Sequence, residues 1–472
     1  MEMTHVHLIG IGGSGLSAIA SLLLERGEVV SGSDRQMTPA AQAIQAAGAQ
    51  VTIGHKPENI IGADLVVRSS AIPDTNPEVQ AAQAAGIPVF KRDGFLGTLL
   101  QGYRVIAVAG THGKTTTTAM IAWVLTRLGA DPSYIIGSTA INLGGNAHAG
   151  KSDLFVIEAD EYDRMFLGLS PTIEVVTNLE HDHPDCYPTM ADFIKAFEAF
   201  TARLLPGGIL LACSDDPGAL RLLQQVAGRR GSTRSYGLDP SPVELQPNYC
   251  ASELHQNEQG GMTFNVGLRG QLAAAKGASL KVHLKVPGRH NVLNALAVIG
   301  VAHLLELPLA AAADALGEFR GTSRRFELRG DVDGIQVIDD YAHHPSEIKA
   351  TLAAARGRFP GRRIWAVWQP HTYSRVRLLL DDFAGAFTDA DIVLVTEIYA
   401  AREAPPLDAF SARRVVEAMP RKDIYFAPDL AQATRFLVDG LRSGDVVLVL
   451  SAGDADQVST NVLEQLSNRH TV

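Results

Sequence analysis

Residues 107–118 read Ala-Val-Ala-Gly-Thr-His-Gly-Lys-Thr-Thr-Thr-Thr and continue the apolar run Val105–Val108. A strand that enters a Gly-Thr-x-Gly-Lys-Thr turn and leaves as a helix, here expected over Thr115–Leu128, makes a phosphate cradle. Backbone N–H groups from Gly110 to Lys114 can point inward at anionic oxygens, helped by the positive end of the helix dipole. Lys114 adds a full charge for β- and γ-phosphates, and the hydroxyl of Thr115 or Thr116 is placed to ligate Mg2+. The loop is a shortened form, because the first glycine of G-x-x-x-x-G-K would fall at Val108. It points to a subset of nucleotide-binding enzymes.

Toward the N-terminus lies a second glycine loop. A strand at Val6–Ile9 runs into Gly10-Ile-Gly12-Gly13-Ser14-Gly15 and then a helix over Leu16–Arg26. The next strand, Glu28–Ser31, leads to Gly32-Ser33-Asp34, so an acid stands about 20 residues beyond the glycines. Strand, loop, helix and acid together form a dinucleotide-type fingerprint. Another strand, Leu65–Arg68, opens into Ser69-Ser70-Ala71-Ile72-Pro73, and the βα pattern continues to about Leu100.

Toward the C-terminus, apolar strands are expected at Leu154–Ile157, Glu174–Thr177 and Ile209–Ala212. Each ends in a polar cluster, as ligand-binding strand ends do in α/β sheets. The first is followed by Glu158-Ala-Asp160-Glu161-Tyr-Asp163, four carboxylates that need cations nearby. Glu158 is the one best placed to face a nucleotide-bound metal. The second is followed by Asn178, Glu180, His181, Asp182 and His183, which can meet phosphates or a cation. Histidine on Mg2+ would be unusual chemistry. Residues 231–286 alternate in short stretches and suggest a small β-rich insertion. His290-Asn291-x-x-Asn294 then opens a helix with two amides on one face, suited either to an adenine edge or, for Asn291, to capping. A third βα pattern follows, with strands at Ile335–Ile338, Arg363–Val367, Ile392–Val395 and Val446–Leu450. Its strand ends and junction carry Arg324-Arg325-Phe326, Asp339-Asp340-Tyr341-Ala-His343-His344-Pro345 and Gln369-Pro-His371-Thr-Tyr373-Ser-Arg375. Such cations and imidazoles can bind a carboxylate and stabilise a charged transition state. The expected fold class is therefore α/β in three domains, at 1–100, 101–319 and 320–472.

Composition limits the partners. The chain has 472 residues, 46% of them hydrophobic and 19% charged, enough for several buried cores. A formal net charge of −10 argues against general attraction to nucleic acid or an anionic membrane. Three cysteines (Cys186, Cys213, Cys250) without metal-like spacing and an N-terminus that enters a strand at once lead us to expect a cytoplasmic protein.

These motifs, in this order, resemble the Mur ligase family of peptidoglycan synthesis over nearly all of the chain. The resemblance implies a Rossmann-like first domain holding a UDP-sugar on Gly10, Gly12, Gly13, Ser14, Gly15, Asp34, Ser69, Ser70 and Ala71. It implies a P-loop ATPase-like central domain holding ATP on Gly110, Thr111, His112, Gly113, Lys114, Thr115 and Thr116, with Asn291, Asn294 and Arg325 completing the site. Thr115, Glu158 and His183 would hold Mg2+. A Rossmann-like C-terminal domain would bring Tyr341, His343 and Arg375 to the amino acid and acyl group, and Lys114, His343 and Arg375 are the expected catalytic residues. His343 or His344 would take the amine proton. Within the family, the Tyr341 and Gln369 stretches look closer to the branch that joins L-alanine to UDP-N-acetylmuramate with ATP. The expected partners are those three small molecules, with no nucleic acid or membrane, and the protein acting as monomer or homodimer. Glu161-Tyr162-Asp163 departs from the Glu-Ser-Asp of many alanine-adding members and resembles the ligase that recycles an intact tripeptide. An NAD(P)-dependent oxidoreductase would leave the Lys114 loop unexplained, and a P-loop switch or motor protein the Gly10 loop.

Overall fold

The computed structural model describes residues 4–227, 232–241, 246–269, 280–401 and 403–469. Their strands form three sheets. The first is wholly parallel, in the order Gln50–Ile53, Val29–Asp34, His5–Ile9, Leu65–Arg68, Val89–Lys91. Strand order reverses between His5–Ile9 and Leu65–Arg68, so a crevice opens between the Gly10 loop and Ser69–Ala71.

The central sheet has ten strands. Arg104–Ala109 lies at its heart, with Ile173–Val176 on one side and Leu154–Glu158 on the other, all parallel. Ile106 and Val108 pack into the core under helices Lys114–Arg127 and Arg289–Leu304, while Val105, Ala107 and Ala109 face Phe193, Phe197 and Phe200. Burial on both faces explains the unbroken apolar run, since a half-exposed strand would alternate. Residues 231–286 were expected to form a small β-rich insertion of the central domain. Their described strands Ser232–Leu238, Tyr249–Gln256, Met262–Leu268 and Leu280–His283 continue the central sheet edgewise from Ile209–Cys213. Alternation was legible there, but the pairing partners were not. Parts of that segment lie outside the described residues.

The third sheet runs Glu327–Val332, Ile335–Asp340, Val446–Leu450, Ile364–Trp368, Ile392–Thr396, Ile424–Ala427, antiparallel only at the first pair. It carries an apolar core on each face. The first domain's helix Ser14–Glu25 and the central sheet share one continuous core, in which Leu16 and Ile19 join Phe155 and Phe166. The carboxyl ends of all three sheets carry the polar residues singled out above.

Candidate active site

The phosphate loop needs its glycines for space as well as for conformation. Gly110 has φ +128°, and a Cβ there would stand 2.1 Å from Thr177 Oγ1. Gly113, at φ +81°, precedes helix Lys114–Arg127, and its Cβ would come within 2.8 Å of Asn294 Oδ1. Asn178 holds the loop from below: its Oδ1 accepts from His112 N at 2.9 Å and its amide donates to His112 O at 3.0 Å. It therefore positions the loop, and its side chain is spent on that task. Thr111 is tied to the same segment, donating from Oγ1 to Glu180 O at 2.9 Å and accepting from Glu180 N at 2.8 Å.

Lys114 is not free. Its ammonium donates to Gly110 O (2.6 Å), Thr111 O (3.0 Å) and Glu161 Oε1 (2.9 Å), so all three N–H bonds are taken. Burial works against its charge, but Glu161, Glu158 and Asp160 outweigh burial and raise its pKa. Contact with a phosphate then requires exchange of these partners.

The acidic turn finds the cations it needs. Glu161, 1% exposed, faces Lys114, and Asp160 accepts from Arg92 Nη2 at 3.0 Å. Glu158 accepts from Thr115 Oγ1 at 3.0 Å and from Gly137 N at 2.7 Å. His183 stands 3.7 Å from Glu161 and 3.8 Å from Asp182. Thr115, Glu158 and His183 line one cavity of about 530 Å³ with Lys114. An adjacent hydroxyl and carboxylate at the mouth of a phosphate loop are the oxygen donors a hard divalent cation prefers, so these residues fit Mg2+.

A second cavity, about 240 Å³, lies on the other side of the loop and is lined by Gly113, Thr116, His290, Asn291, Asn294 and Arg325, among others. A cavity of about 150 Å³ holds a benzene ring, so a purine has room here. Asn291 does not cap its helix, which starts at Arg289 after Gly288. Its amide donates to Pro287 O at 2.7 Å, and Asn294 Nδ2 donates to Asn291 Oδ1 at 3.1 Å. The pair is thus ordered, with Asn294 Oδ1 turned to Gly113. Burial pushes the His290 pKa down to about 4, leaving a neutral ring on the same wall.

The third sheet meets the loop directly. Arg375, 4% exposed, places Nε and Nη2 each 2.8 Å from Asp182 Oδ1, with Nη1 3.0 Å from His371 Nδ1. Burial alone would raise the Asp182 pKa; Arg375 overrides it and holds the carboxylate well below its usual range. His112 lies between Glu347 (3.1 Å) and Glu180 (3.4 Å), and these carboxylates overcome burial to raise its pKa to about 9. Ser346 Oγ donates to Glu180 at 2.5 Å. Arg325 lies 3.7 Å from Glu347 and 5.0 Å from the centre of the Tyr341 ring.

The two histidines differ. His344 is the N-cap of helix Pro345–Arg358, accepting from Ser346 N, with Glu347 completing a capping box. His343 lines the larger cavity. Its Nδ1 donates to Tyr341 O at 2.9 Å, and burial pulls its pKa down to about 3, so it is a neutral ring with Nε2 unprotonated. Glu347 and Arg92 escaped sequence reasoning as site residues. The capping box could have flagged Glu347; Arg92 sits in no motif.

At the Gly10 loop, Asp34 Oδ2 accepts from Gly12 N at 2.9 Å and Oδ1 from Arg35 N at 2.7 Å. The acid therefore holds the loop in shape. A Cβ on Gly10 would meet Ser69 Cβ at 3.2 Å, which closes the crevice wall, while Gly13, Ser14, Ser70 and Ala71 are exposed. Ser14 and Gly15 open into the same cavity as Lys114.

Three family models cover this arrangement in sequence: Mur ligase family, catalytic domain, at residues 5–104; Mur ligase middle domain at 108–302; and Mur ligase, glutamate ligase domain, at 324–453. The UDP-N-acetylmuramate–L-alanine ligase of Frankia casuarinae is 42% identical, over 98% of this chain and 97% of its own. That of Chloroflexus aggregans is 43% identical over 98% of each. Among solved structures, the UDP-N-acetylmuramate–alanine ligase of Thermotoga maritima matches with a TM-score of 0.81 at 30% identity, covering 98% of this chain and 99% of that one. The murein peptide ligase of Psychrobacter arcticus matches with a TM-score of 0.74 at 27% identity, covering 98% and 99%.

Proposed function

The chain belongs to the Mur ligase family, and we propose that it joins L-alanine to the lactyl carboxylate of UDP-N-acetylmuramate at the expense of ATP. The observation that carries this reading is the continuous cavity running from Ser14 and Gly15 past Lys114 and Glu158 to His343 and Arg375. It brings a sugar-nucleotide loop, a triphosphate loop and a carboxylate-binding end into one space. A dehydrogenase would have no use for the middle of it. The relatives at 42% and 43% identity over nearly the full length carry the alanine-adding name, so L-alanine is the expected amine.

The UDP-sugar lies over the crevice between the Gly10 loop and Ser69–Ala71, with its lactyl carboxylate at the Lys114 loop. That carboxylate attacks the γ-phosphorus of ATP, giving an acyl phosphate and ADP. The amine of L-alanine attacks the acyl carbon, and inorganic phosphate leaves the tetrahedral intermediate. Lys114 exchanges Glu161 and the loop carbonyls for phosphate oxygens and neutralises charge on the transferring group. Thr115, Glu158 and His183 would hold Mg2+, which would supply further charge neutralisation on the phosphates. The nucleophile is the free amine of L-alanine, and His343 Nε2, unprotonated on a neutral ring, takes the proton that the nitrogen releases once the C–N bond has formed. Arg375, with N–H donors beyond those spent on Asp182 and His371, orients the amino-acid carboxylate. The seam of Glu347, His112, Glu180 and Ser346 keeps water from the acyl phosphate. No helix among the described residues is long and apolar enough to cross a membrane; with ATP and a UDP-sugar as substrates, we place the reaction in the cytoplasm.

The test is phosphate release with UDP-N-acetylmuramate and MgATP against a panel of amino acids and the tripeptide. L-alanine should support turnover well above the rest. Turnover with the tripeptide alone would replace this reading with the recycling one.

A further inference from the structure

One cation in the large cavity comes from outside every motif. Arg92 is the first residue of helix Arg92–Leu99 in the first domain, and its guanidinium lies against Gly15 at the start of helix Ser14–Glu25. A Cβ on Gly15 would stand 1.7 Å from Arg92 Nη1 and 2.8 Å from Cζ, so that glycine makes space for the arginine. The other end of the group reaches the central domain, where Nη2 donates to Asp160 Oδ2 at 3.0 Å and touches Met165 Sδ at 2.7 Å. Nε is buried with no hydrogen-bond partner among the described residues. A buried N–H of a cation left unpaired is costly, so the protein contacts of this guanidinium do not complete its seat.

Asp160 transmits whatever happens to Arg92. Its Oδ1 accepts from Tyr162 N at 3.1 Å and its carbonyl accepts from Phe166 N at 3.0 Å. It thus sets the shape of the turn between Glu158, beside Thr115, and Glu161, on Lys114. The two domains are closely packed at this point. A Cβ on Gly168 would meet Asp93 O at 2.3 Å, and one on Gly97 would meet Gly168 O at 3.2 Å. There is little slack to absorb a displacement.

We propose that Arg92 is a positioning residue that couples the two substrate sites. A diphosphate seated at Ser14–Gly15 takes a charge-assisted hydrogen bond from Nη1, and through Nη2 and Asp160 its arrival resets the acidic turn that holds Lys114. This rests on the reading of the Gly10 loop as the UDP-sugar site. Coupling of this kind is reciprocal, so the UDP-sugar alters cation and nucleotide binding at the Lys114 loop as much as they alter its own.

The experiment uses the full chain and two binding readouts, neither of which requires turnover. Calorimetry gives the Kd of UDP-N-acetylmuramate, and electron paramagnetic resonance gives the affinity for Mn2+ in the presence of ATP, with and without the UDP-sugar. In the wild type the UDP-sugar should shift the Mn2+ affinity at least about threefold. Arg92→Ala should weaken UDP-N-acetylmuramate at least about tenfold, leave ATP within about twofold, and abolish the Mn2+ shift. Asp160→Asn should leave UDP-sugar affinity near wild type yet lose most of the shift. Arg92→Lys, which keeps the charge without the fork, should restore part of the affinity and little of the coupling. The same Mn2+ shift in Arg92→Ala or, should that variant not fold, in Arg92→Lys and Asp160→Asn overturns the proposal. A wild type that binds no UDP-N-acetylmuramate overturns instead the functional reading on which it rests.

Discussion

The Gly10 and Gly110 loops occupy equivalent places: each follows a strand with parallel partners on both sides and opens a helix. They are charged by opposite strategies. The Gly110 loop carries its own lysine and borrows carboxylates from the neighbouring strand end, so a cation and oxygen donors sit within one turn of the loop. The Gly10 loop has no lysine, its acid is spent on Gly12, and its cation arrives from Arg92, far along the chain. On the proposed reading the first serves a phosphoryl group that changes bonding, and the second a diphosphate that only needs holding. A glycine loop alone states that an anion binds; the provenance of its charges states what happens to it.

The sharpest break in this comparison comes from Lys114. Lys114→Ala should lower kcat/KM at least about 10³-fold for want of charge on the transferring group. Because Lys114 faces buried Glu161, the same change also strips a buried carboxylate of its cation, a loss of about 3–5 kcal/mol when the orphan stays charged. Lys114→Ala with Glu161→Gln should recover the melting temperature without the activity. Recovery of turnover in the double variant would show that the lysine serves the fold and that the two loops do not differ in the way argued.

Next in size are the glycines. Gly113→Ala forces a side chain to φ +81° and within 2.8 Å of Asn294 Oδ1, and should weaken ATP at least about 30-fold. Gly12→Ala puts a methyl 2.5 Å from Thr38 Oγ1 and should raise the KM for UDP-N-acetylmuramate about tenfold. Each should leave the other substrate within about twofold. Equal effects on both substrates would merge the two sites into one. Asn294→Ala should cost ATP binding about tenfold, roughly one hydrogen bond to a base plus the order it lends Asn291, with calorimetry as the check.

What the sequence made legible follows the same divide. Where function and charge are local, as in Gly110–Lys114 with Thr115, or Asn291 with Asn294, spacing alone places the residues together. The three-sheet architecture is legible for a similar reason, since strand-helix alternation is a local signal. Asn178 was visible but misjudged, because whether an amide faces a ligand or a backbone depends on the adjacent strand. Arg92 and Glu347 act across domains, and no periodicity encodes which surfaces meet. The β-rich character of residues 231–286 was legible, but not that its described strands pair onto the edge of the central sheet.

The smallest expected effect concerns two buried carboxyls near these loops. Glu78, fully buried in the first domain, shares its oxygens with Ser33, His55 and Asn59. Glu174, equally buried in the strand beside the phosphate-loop strand, has one described partner, the Thr201 hydroxyl at 2.9 Å, and no cation answers it. Burial therefore pushes the Glu174 pKa up to about 8. In the unfolded chain the group ionises near 4.5, so between these limits unfolding releases a proton. Its stabilising share is fully present below pH 4.5 and drains away as pH rises through about 8. Glu174→Gln removes the titration while keeping the shape, and should flatten the decline in melting temperature over that range by a few degrees. Glu78→Gln, which breaks a satisfied network, should lower the melting temperature at every pH. A Glu174→Gln protein whose melting temperature falls with pH as steeply as the wild type would mean that this carboxyl is ionised in the folded state. The sheet beneath the phosphate loop would then hold a charge that the geometry gives it no means to keep.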